Sequence, residues 1–473
     1  MKIEQIYTGC LAQGAYYIES NGEAAIIDPL RETKPYIEKA KENGVQIKYI
    51  FETHFHADFV SGHVDLAKKT GAKIIYGPTA QTDYDIHLAK DGEEFKLGDV
   101  TFRVLHTPGH TPESTTYLLL NEDGKEHAIF SGDTLFIGDV GRPDLAQKNG
   151  SVTIEDLAGW LYDSLRHKIM TLPDDVIVYP AHGAGSACGK NMSSETWDTL
   201  GNQKKTNYAL RADMTKEEFI KEVTDGLQPP PQYFAKNAKL NKQGYESIDI
   251  VMERGAKALS PKAFESAANE TGALILDVRD KTEFVKGFIP NSIFIGLDGS
   301  FAPWVGALIA DLMQPILLVA PVGKEAETVK RLARVGYDNT IGYLEDGFES
   351  WLKAGKETDD IKTIDVEAFA KTYNDNNNIN ILDVRKPGEW SGMHIDGSQN
   401  FPLDFISKNM AEVSKDKEYH MHCRSGYRST VAASILKSRG FDKIINVHGA
   451  FTDIESSAIP TTDFVCPSTL KKA

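Results

Sequence analysis

The sequence predicts an α/β protein built from three domains, and three observations predict it. Short apolar runs alternate with helical patterns along the chain. A segment recurs at a spacing of about 105 residues in the C-terminal half. Histidines cluster just after apolar runs in the first half. Strand, loop, helix, strand is the order that builds a parallel sheet covered by helices. A repeat of that length is too long for a solenoid unit and suits a duplicated small domain.

The first block runs to about residue 245. The segments AAIIDP (24–29), IKYIFET (47–53), KIIYG (73–77), TYLLL (116–120), AIFSGD (128–133) and VIVYPAH (176–182) read as strands. KPYIEKAKENG (34–44) reads as a helix with Gly44 as its stop. The block closes on GLQPPPQYF (226–234), whose three prolines suit neither a helix nor a central strand. It reads as a rigid surface segment, either linker or docking element. In the repeat, LILDVRDKTEF (274–284) matches NILDVRKPGEW (380–390), and VGYDNTIGYLEDGFESW (335–351) matches RGFDKIINVHGAFTDIE (439–455). The copies join near 357–363.

Composition bounds the function. The chain has 473 residues, 41% hydrophobic and 25% charged, the usual mix for soluble globular chains. No run of about 18 apolar residues occurs, so no membrane partner is expected. The N-terminus MKIEQIYTG lacks an apolar signal core. The excess of acidic over basic residues, 68 − 52 = 16, repels phosphate backbones, so nucleic acid is not an expected partner. Cys10, Cys188, Cys423 and Cys466 are too sparse for a disulfide framework. They suit a reducing cytoplasmic location, in which a free thiol can be a nucleophile.

THFHAD (53–58) places His54, His56 and Asp58 directly after a strand. TPGHTPES (107–114), SGDTLF (131–136) and YPAHG (179–183) each put a His or Asp on a turn after an apolar run. Imidazoles and carboxylates buried together without partners are costly, and a metal ion removes the cost. The ordered set HxHxD, GH, GD, AHG resembles the metallo-β-lactamase family, and the resemblance covers the first block. It implies an αββα sandwich. In the dinuclear hydrolases of that family the first motif ends in a further histidine; here Phe59 stands in its place. A second metal loses an imidazole there. The resemblance then implies a single site with His54, His110 and Asp133 as ligands. Two histidines and one carboxylate with open positions suit non-heme Fe(II), one per chain, with zinc as the alternative. Persulfide dioxygenases of the superfamily resemble this pattern. By the same match, His56, Asp58 and His182 orient ligands or water around the metal. Arg142, in GDVGRPDL (138–145), is the candidate for binding the substrate's carrier, against a structural pairing with Asp139 or Asp144. Cys188 is a candidate catalytic thiol for accepting or relaying sulfur, against an inert small residue.

HCRSGYRS (422–429) follows a short strand and precedes a helical pattern. Cys423 then sits on a tight loop whose amides and helix dipole favour a negative sulfur, and Arg424 and Arg428 add positive charge. With LDVRKPGEW upstream, the loop resembles rhodanese sulfurtransferases. Phosphatases that share the fold have a longer loop between cysteine and arginine. The middle copy reads LVAPVGKEAE (318–327), with Ala320 in place of the cysteine, and is expected to be catalytically dead.

The expected class is α/β throughout: a metallo-β-lactamase sandwich over 1–245, a degenerate rhodanese domain over 256–356 and an active one over 361–473, the latter two around central parallel sheets. Together they resemble persulfide dioxygenase–sulfurtransferase fusions. That implies a small-molecule persulfide of glutathione, coenzyme A or another thiol, with O2, sulfite and thiosulfate as further reactants in sulfide detoxification. The retained dead domain hints at a homo-oligomer. The rivals are a zinc thioester hydrolase of the hydroxyacylglutathione hydrolase kind fused to a rhodanese, and a set of sulfur-carrier binding modules around a structural metal.

Overall fold

The computed structural model describes residues 1–146, 151–190, 192–376 and 378–465; Cys466 lies outside them. The chain forms two compact units. One comprises Met1–Ile250 with Leu332–Gly336, the other Val251–Arg331 with Tyr337–Ala473.

The first unit carries two six-stranded sheets. In the first, β1 (Lys2–Thr8), β2 (Gln13–Ser20), β3 (Glu23–Ile27), β4 (Gln46–Glu52), β5 (Lys73–Tyr76) and β6 (His87–Leu88) lie in chain order. In the second, β7 (Glu94–Leu97), β8 (Val100–His106), β9 (Thr115–Leu120), β10 (Glu126–Gly132), β11 (Ile177–Pro180) and β12 (Asp198–Thr199) do the same. Tyr16, Ile27, Phe51 and Ile75 from one sheet pack with Phe102, Tyr117, Leu119 and Phe130 from the other, which makes the two sheets face each other. Tyr36 and Leu66, from the helices Lys34–Glu42 and His63–Thr70, cover the outer face of the first sheet. Leu161 and Phe219, from Ile154–Ser164 and Lys216–Thr224, cover the second. Strand β9 is buried along its whole length, as a strand covered on both faces must be. This is the αββα sandwich.

The second unit holds two five-stranded parallel sheets of identical order. The strands Ala258–Leu259, Thr340–Leu344, Ile316–Val319, Leu274–Asp277 and Ile293–Phe294 make the first. Thr363–Asp365, Ile444–His448, Tyr419–His422, Asn380–Asp383 and Gln399–Asn400 make the second. The repeat read from the sequence is therefore a repeated α/β fold. None of the described helices is long and apolar enough to cross a membrane.

Candidate functional site

The metal-type residues sit where strands end. His54, His56 and Asp58 follow β4, His110 follows β8, Asp133 follows β10 directly, and His182 lies just past β11. Loops of both sheets thus converge on one buried cluster. Gly132 makes the last step possible. Its φ is +54°, and a Cβ there would meet Thr53 Oγ1 at 2.6 Å.

His54, His110 and Asp133 each present a donor atom, all within 4.8 Å of one another, and all three are buried. His54 Nε2 is 3.8 Å and His110 Nε2 3.4 Å from Asp133 Oδ2. Their tautomers are set from behind. His110 Nδ1 lies 2.9 Å from the Arg142 carbonyl, which only accepts, so Nδ1 carries the proton. The Thr53 hydroxyl donates to Asp28 Oδ2 at 2.8 Å, so it accepts from His54 Nδ1 at 3.0 Å. Both Nε2 lone pairs then face Asp133. Burial, with His56, His110 and His182 nearby, holds His54 well below the usual histidine range, in the neutral form a ligand needs. Neither Asp133 oxygen has a hydrogen-bond partner among the described residues, although both are buried. A carboxylate left bare in that way is expensive unless a cation answers it, so the donor set fits a metal ion.

His56, Asp58 and His182 form an adjoining buried group with the same spread of donor atoms. His182 Nε2 lies 3.5 Å from Asp58 Oδ2 and 3.6 Å from Asp133 Oδ1. Burial works against a charge on His182, yet these two carboxylates raise its pKa well above the ordinary value. Phe59 is fully buried, its ring 4.4 Å from that of His56, so the place beside that imidazole is apolar. Cys188 lies with Asp133 and His182, close enough to act as a third donor. Burial first, then Asp58 and Asp133, push its thiol up to about 12. The Arg142 guanidinium pairs with Asp144 at 2.6 and 2.7 Å and donates to the carbonyls of Ala187 and Gln228. Gln228 belongs to the proline-rich segment, which thereby closes onto the same loop.

Three contributors escaped the sequence reading. Asp28 directly follows β3 and Glu52 ends β4, and with His56 they make a further buried donor group. His56 Nε2 is 3.1 Å from Asp28 Oδ1. Burial and then Asp28 raise Glu52 well above the carboxylate range. Asn241, from the helix Phe234–Gln243, donates to the carbonyls of His56 and Phe59 at 2.8 Å and locks the metal-type loop. An acid closing an apolar run, as in AAIIDP and IKYIFET, was the available signal for the first two.

In the C-terminal copy, Cys423 is buried between the strand Tyr419–His422 and the helix Tyr427–Ser438. Gly426 has φ +82° and donates its amide to Cys423 Sγ at 3.2 Å. Arg428 is held by Glu389, at 2.6 and 2.9 Å, in a two-pronged pair. Arg424 is exposed. In the middle copy the corresponding loop carries Ala320, buried, and Val322, 73% exposed.

Comparison with known proteins agrees with this geometry. The metallo-beta-lactamase superfamily profile matches residues 8–182, and the rhodanese-like domain profile matches 260–354 and 365–457. The human mitochondrial persulfide dioxygenase ETHE1 is 32% identical over 213 residues, 44% of this chain and 74% of that protein. A probable hydroxyacylglutathione hydrolase of Schizosaccharomyces pombe is 28% identical over 249 residues, 48% of this chain and 91% of that one. The crystal structure of a metallo-beta-lactamase from Staphylococcus aureus subsp. aureus COL is 32% identical, with a TM-score of 0.63, covering 73% of this chain and 98% of that one. The chain therefore belongs to the metallo-beta-lactamase superfamily, its superfamily domain followed by two rhodanese-like domains.

Proposed function

We propose that the chain couples a persulfide dioxygenase to a sulfurtransferase. The observation that carries the first half is the donor set His54, His110 and Asp133, with Phe59 at the place where a second metal needs an imidazole. The overall change is R–S–SH + O2 + H2O to R–SH and sulfite, in which the outer sulfur is oxidised and O2 is reduced. Those three residues would hold a single Fe(II), which would supply redox chemistry when bound.

The chain's own groups do the rest. Thr53 and the Arg142 carbonyl hold the two imidazoles in one tautomer. His182, between Asp58 and Asp133, keeps a proton at Nε2 at the edge of the reacting volume. Buried Phe136 beside it and buried Phe59 beside His56 exclude water from the flanks of the site. We assign Arg142 to a carboxylate of the thiol carrier, which would displace one arm of Asp144, and Cys188 to sulfur handling beside Asp133.

In the second half, the Cys423 thiolate attacks the outer sulfur of thiosulfate. The S–S bond breaks, sulfite leaves with the electron pair, and a cysteine persulfide forms, which a second thiol or cyanide then relieves. The Gly426 amide donates to the attacking Cys423 sulfur and favours its thiolate form. One chain carrying both centres keeps the intermediates at high effective concentration.

The second reading is a zinc thioester hydrolase, favoured by the adjoining group His56, Asp58 and His182, which is also able to hold an ion. Metal analysis of chain purified without added metal separates the two. One iron per chain, with O2 uptake and sulfite release on glutathione persulfide, is expected. Two zinc ions, with thioester cleavage and no O2 uptake, would overturn the reading.

A further inference from the structure

The middle copy has lost its nucleophile, yet it touches the live loop of its neighbour within the same compact unit. Lys281 opens the short helix Lys281–Phe284 of the middle copy. Its ammonium donates to the carbonyl oxygen of Ser425 at 2.6 Å. Ser425 is bonded to Gly426, and the Ser425 carbonyl and the Gly426 amide belong to one planar peptide group. The amide end of that group is the donor that meets Cys423 Sγ at 3.2 Å. A cation at the oxygen of a peptide draws electron density from its nitrogen and strengthens the N–H as a donor. It also fixes the rotation of the plane, which φ +82° at Gly426 leaves without support from a side chain. Two further contacts hold the same neighbourhood. The Tyr427 hydroxyl donates to the Gly296 carbonyl at 2.8 Å, and the Phe294 amide donates to Ser434 Oγ at 2.9 Å.

We propose that Lys281 is a positioning residue for the Cys423 thiolate: the catalytically silent copy orients and polarises the Ser425–Gly426 peptide that cradles its neighbour's sulfur. Lys281 has no equivalent in the C-terminal copy, where Pro387 occupies the matching place in the repeat. The live domain therefore borrows this cation. The ionisable groups around the thiol are Arg428 with Glu389 and Asp404 near it, His448 beside Gly426, Arg424 and Lys281. Among them Lys281 alone acts through the peptide that touches the sulfur.

This inference rests on the sulfur-transfer reading for its purpose but not for its test. The full-length chain and its Lys281→Met and Lys281→Arg variants are alkylated with iodoacetamide across pH 5–10, and the peptide carrying Cys423 is quantified by mass spectrometry. Lys281→Met is expected to shift the alkylation midpoint upward by about half a pH unit, and Lys281→Arg to recover most of that shift. Thiosulfate-to-cyanide transfer is expected to lose about threefold in kcat at pH 7 with little change in KM. Coincident titrations for Lys281→Met and the parent overturn the proposal, as does a Lys281→Arg midpoint displaced as far as that of Lys281→Met. Should Lys281→Met not fold, Lys281→Gln carries the same measurement. If the chain transfers no sulfur at all but the midpoint moves as stated, the functional reading fails and the positioning role stands.

Discussion

The two rhodanese-like copies share a skeleton and differ in chemistry. In the middle copy Arg279 grips Asp277 through two nitrogens, reaches the Gly287 carbonyl and lies 4.0 Å over the Phe348 ring. In the C-terminal copy Arg385 grips Asp383, reaches the Met393 carbonyl and lies 3.6 Å over Phe451. The five strands keep the same order in both. At the loop the likeness ends: Cys423, Tyr427 and Arg428 stand against Ala320, Lys324 and Glu325. What builds the domain is a buried ion pair under an aromatic ring; what the proposed sulfur transfer requires is a handful of loop residues. Losing the second leaves the first intact, and the silent copy persists as a folded body able to serve its neighbour.

The largest effect expected from this contrast is at the nucleophile. Cys423→Ser should cut thiosulfate-to-cyanide transfer by about a thousandfold or more while O2 uptake on glutathione persulfide continues. Loss of both activities together would break the separation between the two centres. The skeleton is tested next. Asp277→Ala and Asp383→Ala each strand a buried arginine, and each should cost about 3–5 kcal/mol in denaturant unfolding of the second unit. A marked difference between them would mean that the copies are not held in the same way.

A smaller effect concerns placing a thiol in the middle copy's loop. In a Cys423→Ser background, Ala320→Cys should reach no more than about a hundredth of the parent transfer rate, because Glu325 puts a negative charge where Arg428 stands. Adding Glu325→Arg, with Glu283 matching Glu389 in the repeat, should raise it. The smallest effect is acid sensitivity. Burial alone would raise the Glu389 carboxyl, but Arg428 outweighs it and holds the group below the usual range. A depressed folded value means that the stabilisation is complete above the ordinary carboxylate pKa and fades as pH falls through the folded value. Hydrogen exchange in 423–430, corrected for intrinsic rate, should rise a few-fold between about pH 5 and pH 3. Residues 318–327 carry a solvent-exposed pair, Lys324–Glu327 at 2.9 Å, and should follow less.

Much of this was legible beforehand because burial leaves apolar runs. The strands read at 24–29, 47–53, 73–77, 116–120, 128–133 and 176–182 all appear, displaced by at most two residues at their ends. The strand Gln13–Ser20 was missed although it is buried and carries the apolar run AYYI; two other missed strands are of another kind. VTFRVLH alternates buried and half-buried positions, and KIEQIYT is partly open along its length, so neither makes a continuous apolar run. The metal-type histidines were visible because several ionisable side chains following core strands need a common explanation. Asp28 and Glu52 were not, because their meeting depends on the parallel register that sets Ile27 against Phe51. Lys281 was further out of reach: it stands 144 residues from its partner, in a domain whose own loop gave no reason to look.

Around the candidate metal site the first unit buries Asp28, Glu52, Asp58 and Asp133, none more than 5% exposed. Such a concentration of acid in a protein core is tolerable only with protons or a cation to neutralise it, which ties folding to metal supply. Chelation should therefore lower the melting temperature of this unit and speed its proteolysis, not only stop its turnover. In a cell starved of that metal, the abundance of the chain itself would become the gauge of how much of it there is to spare.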